Sequence, residues 1–408
     1  MSTPDLPVSG TRKRLDHIDA MRPIKQAAVI STHALIFFSP VGAGLLTIDG
    51  LVLTHFSREA FLFVSACMLA YSYRESATID LKKYTSRRFM AVGVPYLTWT
   101  LIYFVFIQLI ATKTFPYYSI HFSRVFSWSS AHHLWSLTWQ GYYQLYYLLV
   151  ILEFYALFPL LLKLVRRWNT KHVHIMVIAL VWQVVFSIAV SRHWVGVIRP
   201  GFWQTRFVLS YPLYLIGGIV VALHLDDVHQ WILRHAWFIR IATLVSAVGA
   251  LLLNNFHAGG IYGQLIRPGG NPFAVLAIPY TVGAILCVYL LGVFLVNPQR
   301  SVRTRAATKS GSDNSYGIYL SQLIWIPLLL RVWQHYNVTL PFPLGPMIAV
   351  VVVYGVGFLF SALVARTPVA RAVTGRSRVS WSSFWPRRHV IATNLEVDGA
   401  EGPLDLIE

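Results

Sequence analysis

Charge is scarce in this sequence, and negative charge is scarcest. Only 16 of the 408 residues are acidic, and charged residues of both signs make up 12%, well under the ~25% of a soluble domain. Cysteine is nearly missing too. Cys67 and Cys287 are the two present, both inside apolar runs, which excludes a disulfide framework or a thiolate metal site and leaves two small buried hydrophobes. No cleavable leader is expected, because Asp16, Asp19 and Arg22 stand before the first apolar run and more runs follow it directly. The first run is itself the insertion signal.

What the chain has is apolar length. Hydrophobic residues reach 56% and the mean hydropathy is +0.55. Runs of roughly 20 residues recur throughout, each long enough to cross about 30 Å of hydrocarbon. The expected fold is all-α, a polytopic membrane protein of about ten transmembrane helices. The spans read as 23–41, 46–72, 89–111, 141–162, 173–191, 204–223, 237–255, 272–296, 314–335 and 345–365.

The formal charge is +18, so its distribution decides what it means. Basic residues alternate by loop. One side carries Arg12 to Arg14, Lys82, Lys83, Arg87, Arg88, Lys163, Arg166, Arg167, Lys171, Arg234, Arg240, Arg300, Arg303, Arg305, Lys309 and the tail from Arg366 to Arg388. The other side carries only Lys113, Arg124, Arg192, Arg199, Arg206, Arg267 and Arg331. This asymmetry predicts cytoplasmic termini and a contact with anionic membrane lipid. No basic stripe sits on a soluble domain, so no nucleic-acid partner is expected. The long segment 112–140 is dense in aromatics and histidine. It reads either as an interfacial aromatic belt or as a partly folded lid over a polar cavity. No internal repeat relates the two halves, which weakens a transporter built on inverted repeats.

An ionisable group at bilayer depth costs about 2.5–3.5 kcal/mol by insertion scales, so each calls for a partner or a cavity. His33 lies eleven residues after Arg22, a rise of roughly 16 Å in a helix. In the second span His55, Arg58 and Glu59 have spacings of three and four and share one helical face. The turn "SPVGAG" makes these two spans antiparallel neighbours, so His33 can face that cluster. An ion pair that only fixes helix packing is the plainer reading. Glu153 in the fourth span is the other acid at depth, expected beside an aqueous cavity.

These residues resemble the acyltransferase 3 family of integral membrane O-acyltransferases. "RLDHIDAMRPIKQAAVISTH" is similar to its opening, with Asp19-x-x-Arg22 and then an Arg-x10-His pairing of Arg22 with His33. "REAFLFVSACMLAYSY", "YTSRRFMAVGVPYL", "SYGIYLSQLIWIPLLL" and "RTPVARAVTGR" resemble later family segments in the same order. The resemblance spans 14–376 as one transmembrane domain, between a cytoplasmic tail at 1–13 and another at 377–408. Ser65-Ala66-Cys67 stands where Ser-Gly-Phe is usual, and Gln144 and Gln322 stand where the family often has histidine. Glutamine still hydrogen-bonds but cannot titrate.

The resemblance implies transfer of an acyl group from an acyl-CoA-like cytoplasmic donor to a hydroxyl of a glycan, glycolipid or small glycoside, in a bacterial plasma membrane. Acyl-CoA enters as a co-substrate, with no tightly bound cofactor and no metal expected. His33 is the candidate base or acyl carrier. Arg58 would stabilise charge on the thioester oxygen, with Glu59 orienting it or His55. Asp19, Arg22, Arg87 and Arg88 are candidate donor-binding residues, since a guanidinium fork suits phosphate; His55, Gln144, Glu153 and Gln322 are supporting candidates. A transporter or flippase for an acylated or glycosylated lipid remains the alternative. The topology makes a prediction of its own. A tag at either terminus is expected to be cytoplasmic, and a cysteine near Ser130 should react with an impermeant reagent from outside. Termini on opposite sides would mean an odd number of spans.

Overall fold

The computed structural model describes residues 15–40, 42–110, 127–191, 205–255 and 274–380. Among them the regular elements are all helical. The chain runs α1 (Asp16–Asp19), α2 (Met21–Phe38), α3 (Gly44–Thr54), α4 (Phe56–Tyr73), α5 (Leu81–Arg88) and α6 (Val94–Ile110). It continues through α7 (Trp128–Gln140), α8 (Tyr146–Arg167), α9 (His172–Ser191), α10 (Pro212–Leu223) and α11 (Leu225–Arg234). It ends with α12 (Ala236–Asn255), α13 (Ala277–Val296), α14 (Val302–His335), α15 (Leu344–Val364) and α16 (Ala370–Thr374).

Eight helical segments are long and apolar enough to cross a membrane, with Gly44–Tyr73 as one of them. The other two expected spans are α2 and α10, and each departs from that standard for a physical reason. α2 carries Arg22, Lys25, Gln26 and His33, but α3, α4, α13, α14 and α15 pack around it. A helix covered by protein does not need an apolar surface. α10 has only 12 residues, about 18 Å of rise. The chain before it leaves regular helix at Phe207 and Tyr211, on either side of a 3-10 turn at Val208–Ser210. Such backbone is tolerated at membrane depth only where protein or a cavity surrounds it. Glu153 of α8 meets that need by accepting the Val208 N–H at 2.8 Å.

Two expectations are corrected. The second span is not one unbroken helix: α3 stops at Thr54, α4 starts at Phe56, and His55 is the joint between them. The segment 112–140 is not simply a loop either. Trp128–Gln140 form α7, capped where the Ser127 hydroxyl accepts the Ser130 N–H, while 111–126 lie outside the described residues. Trp128, Trp135 and Trp139 on α7 are exposed, as rings of an interfacial belt would be. Ser130 is buried, so the outside-labelling cysteine belongs at exposed Ser129. Both chain ends, 1–14 and 381–408, and Lys113, Arg124, Arg192, Arg199 and Arg267 of the sparsely basic side also fall outside the described residues.

α4 and α10 form the most extensive helix pair, and a glycine permits it. A Cβ at Gly218 would stand 2.5 Å from the Phe63 carbonyl oxygen and 2.9 Å from the Cys67 nitrogen. At the far end of α4, Arg166 of α8 donates to the carbonyls of Tyr73, Arg74 and Ser76 at 2.5–2.9 Å, satisfying a helix C-terminus with a cation. Arg166 is therefore more than a topology signal. Gly218→Ala is expected to destabilise the protein by about 1–3 kcal/mol through overpacking, read as a lower unfolding midpoint in detergent. Gly249→Ala is the control, because a Cβ there meets nothing within 4 Å.

Candidate active site

Helix geometry sets the frame. Eleven residues at 100° each bring His33 back to within about 20° of the Arg22 direction, so both lie on one face of α2, roughly 16 Å apart along the axis. Each of them lines a cavity. His33, His55, Arg58, Gln144 and Arg206 are among the walls of a chamber of about 370 Å³. Arg22, Lys25, Arg88 and Arg376 are among the walls of a second cavity of about 490 Å³.

In the chamber, the cluster expected from spacing divides into two parts. Arg58 and Glu59 pair with each other: Nε donates to Oε1 at 3.0 Å, and Nη2 contacts the same oxygen. The guanidinium also lies 5.1 Å over the Tyr211 ring. Arg58 reaches the chamber wall, whereas Glu59 is buried behind it. His55 reaches the wall from the joint between α3 and α4. The Nδ1 of His33 is buried and meets no hydrogen-bond partner among the described residues. No carboxylate among the described residues orients this imidazole.

Tyr143 forms part of the chamber wall against His33, with ring centroids 5.4 Å apart. Its backbone has φ +43°, a left-handed conformation that costs a non-glycine residue of order 1–3 kcal/mol and clusters at functional sites. Gly141, with φ +69°, starts the bend. Gln144 follows. Its Nε2 donates to the Tyr103 hydroxyl at 2.8 Å, and its backbone carbonyl accepts from the Tyr319 hydroxyl. Gln144 thus ties the loop before α8 to α6 and α14.

At the other end of α2, Arg22 pairs with Asp19 at 3.1 Å and Arg376 with Asp313 at 3.5 Å. The guanidinium of Arg88 lies 5.6–5.9 Å from the Tyr155 and Tyr84 ring centroids. Thr374, Gly375 and Arg376 close this cavity from the C-terminal side, held in place as the Trp99 indole donates to the Val373 carbonyl at 2.8 Å. Arg87 is exposed and outside the lining. Glu153 and Gln322 line neither cavity; Gln322 is fully buried with both amide atoms unpartnered among the described residues.

Phe61, Tyr147 and Tyr319 line both cavities. Their ring centroids are 5.7–5.9 Å apart pairwise, so three aromatic rings make one wall with a cavity on each side. Sequence reasoning passed over all three, together with Lys25 and Tyr143. The rings come from α4, α8 and α14, and no local pattern joins them. Lys25 did carry a signal, as a lysine inside an apolar run.

A family model for an acyltransferase domain, that of the acyltransferase 3 family, matches residues 15–366. The chain belongs to the acyltransferase 3 family. No curated protein and no solved structure matches it. It is a membrane acyltransferase, and both cavities lie within the matched segment except where residues 374–376 complete the second one.

For this acyltransferase the Arg58–Glu59 pair gives a direct stability test. Glu59→Ala leaves a buried guanidinium without its carboxylate and is expected to cost about 3–5 kcal/mol. Arg58→Met combined with Glu59→Leu removes both charges and should recover most of that loss. Thermal unfolding of the three proteins in one detergent checks both expectations.

Proposed function

We propose that this acyltransferase moves an acyl group from an acyl-CoA-like thioester to a hydroxyl of a glycan, glycolipid or small glycoside, with the Arg22 cavity taking the donor and the His33 chamber taking the acceptor. The observation that carries this reading is the arrangement of the two cavities. They lie back to back along α2, cationic at the Arg22 end and holding an unpaired imidazole at the other. The basic-loop asymmetry supports an orientation with the Arg22 end at the cytoplasm and the chamber toward the outside of a plasma membrane.

The chemistry follows from the residues. His33 accepts the proton of the acceptor hydroxyl as its oxygen attacks the thioester carbonyl carbon. The C–O bond forms, the C–S bond breaks, and the thiolate leaves and takes a proton. Arg58, positioned by Glu59 and Tyr211, faces the charge that develops on the carbonyl oxygen. An acyl-histidine route uses the same parts in two steps, with His33 attacking first and the acceptor hydroxyl second. In both routes the imidazole must be neutral at the start, and its lack of a carboxylate partner favours that state. The closed aromatic wall also suits a lipid transporter that opens alternately to each side, so the test must separate the two.

His33→Gln preserves volume and a hydrogen bond while removing the titrating nitrogen. It is expected to slow transfer about 10²–10⁴-fold without loss of folded protein, measured as acyl incorporation into cell-envelope glycans and lipids by mass spectrometry. Near wild-type transfer by a well-folded His33→Gln protein would rule out the catalytic role. At limiting donor, Arg22→Ala should lose about 1.5–3 kcal/mol of donor recognition, and Arg22→Lys should restore only part of it. Equal activity of the Arg, Lys and Ala proteins would reduce Arg22 to a membrane anchor.

A further inference from the structure

Three arginines along the path hold a carboxylate: Arg22 has Asp19, Arg58 has Glu59 and Arg376 has Asp313. Lys25 has none among the described residues. Its side chain is 2% exposed, and its ammonium sits 3.9 Å from the Phe61 ring centroid. Lys25 lines the Arg22 cavity at that ring, which is part of the wall toward His33. A buried ammonium is costly without a charged or accepting partner. A ring face offers a partial substitute, but three N–H donors are left to be satisfied.

The cavity around Lys25 seeks an anion. Its lining holds four cationic side chains, Arg22, Lys25, Arg88 and Arg376, against one carboxylate, Asp313. Lys25 and Arg88 are the two of these without a carboxylate among the described residues, and both face the same space. From Lys25 to His33 is eight residues, about 12 Å along the helix. A flexible arm would have to bridge that distance between an anchored anionic group and a reacting thioester.

We infer that Lys25 is the inner anion-binding residue of the donor cavity, gripping together with Arg88 a phosphate-bearing carrier, while in the empty site the Phe61 ring takes the anion's place. This rests on the donor assignment above. It goes beyond it in making recognition depend on phosphate at a buried lysine, rather than on the arginines at the mouth alone. An anionic lipid headgroup offers the same chemistry, so the carrier and the lipid must be told apart.

The test uses the full-length protein in nanodiscs of phosphatidylcholine, with CoA and pantetheine as probes and affinity read by calorimetry. The wild type is expected to bind CoA and to bind pantetheine, which lacks the phosphates, far more weakly. Lys25→Met should weaken CoA binding about ten- to a hundredfold and leave pantetheine binding unchanged. It should also raise the unfolding midpoint of the empty protein, because the unpaired ammonium is gone. Lys25→Arg should keep most of the CoA affinity. Equal CoA affinity in the wild type and Lys25→Met would overturn the role of Lys25 and leave the donor cavity standing. A lower midpoint with both probes weakened alike would make Lys25 a packing residue. CoA binding lost in nanodiscs of phosphatidylglycerol would assign the site to lipid. A wild type that binds no CoA in either lipid would overturn the donor assignment and this inference together.

Discussion

The arrangement depends on one constraint, which is that polar side chains at bilayer depth must be covered by protein. α2 carries Arg22, Lys25, Gln26, Ser31, Thr32 and His33 within 18 residues, a composition that does not suit a lipid-facing helix. Five helices pack around it, and the hydroxyls of Ser31 and Thr32 turn back onto the carbonyls of Ala27 and Ala28. Arg22, Lys25 and His33 then face cavities rather than lipid, while Gln26 is fully buried and lines neither cavity. The same constraint explains the short α10 and the bend at Gly141, since broken helices leave backbone groups that only a protein interior or a cavity can accommodate.

That constraint also yields a division of labour. In the proposed function, chemistry at His33 needs a place where water is restricted, whereas donor phosphates need access from an aqueous side. One helix face serves both because three turns separate Arg22 from His33. The rings of Phe61, Tyr147 and Tyr319 stand between them. Aromatic rings suit such a wall, since they cover much area with few rotatable bonds and can shift without exposing unpaired polar backbone. In this account a thioester arm crosses the wall while its phosphates remain on the donor side.

Much of this was legible in the sequence, because the strongest signals are local ones. Eight of the ten expected spans followed from apolar length, and the shared face of Arg22 and His33 from helical periodicity. The short connection between the first two spans brought His33 toward His55 and Arg58, which share its chamber. The misses share a physical cause. A wall built from α4, α8 and α14 is a tertiary fact with no local pattern. The joint at His55 was hidden because α3 and α4 are both apolar and periodicity runs through the break. Glu153 reads as an acid at depth in either role, and only its bond to the Val208 N–H shows it bracing backbone. Gln144 and Gln322 stand alike as departures from the family pattern, yet Gln144 lines the chamber and Gln322 does not. Lys25 is harder to read because, three residues after Arg22 at the start of an apolar run, it looks like one more basic residue at a helix entrance.

The central claim is that the donor cavity and the His33 chamber form one path along α2. A cryo-electron microscopy map of the protein with CoA bound tests it most directly. The account predicts nucleotide and phosphate density against Arg22, Lys25 and Arg88, with the pantetheine arm passing between Phe61, Tyr147 and Tyr319 and the sulfur end beside His33. Nucleotide density inside the His33 chamber, or an arm directed away from the three-ring wall, would contradict it.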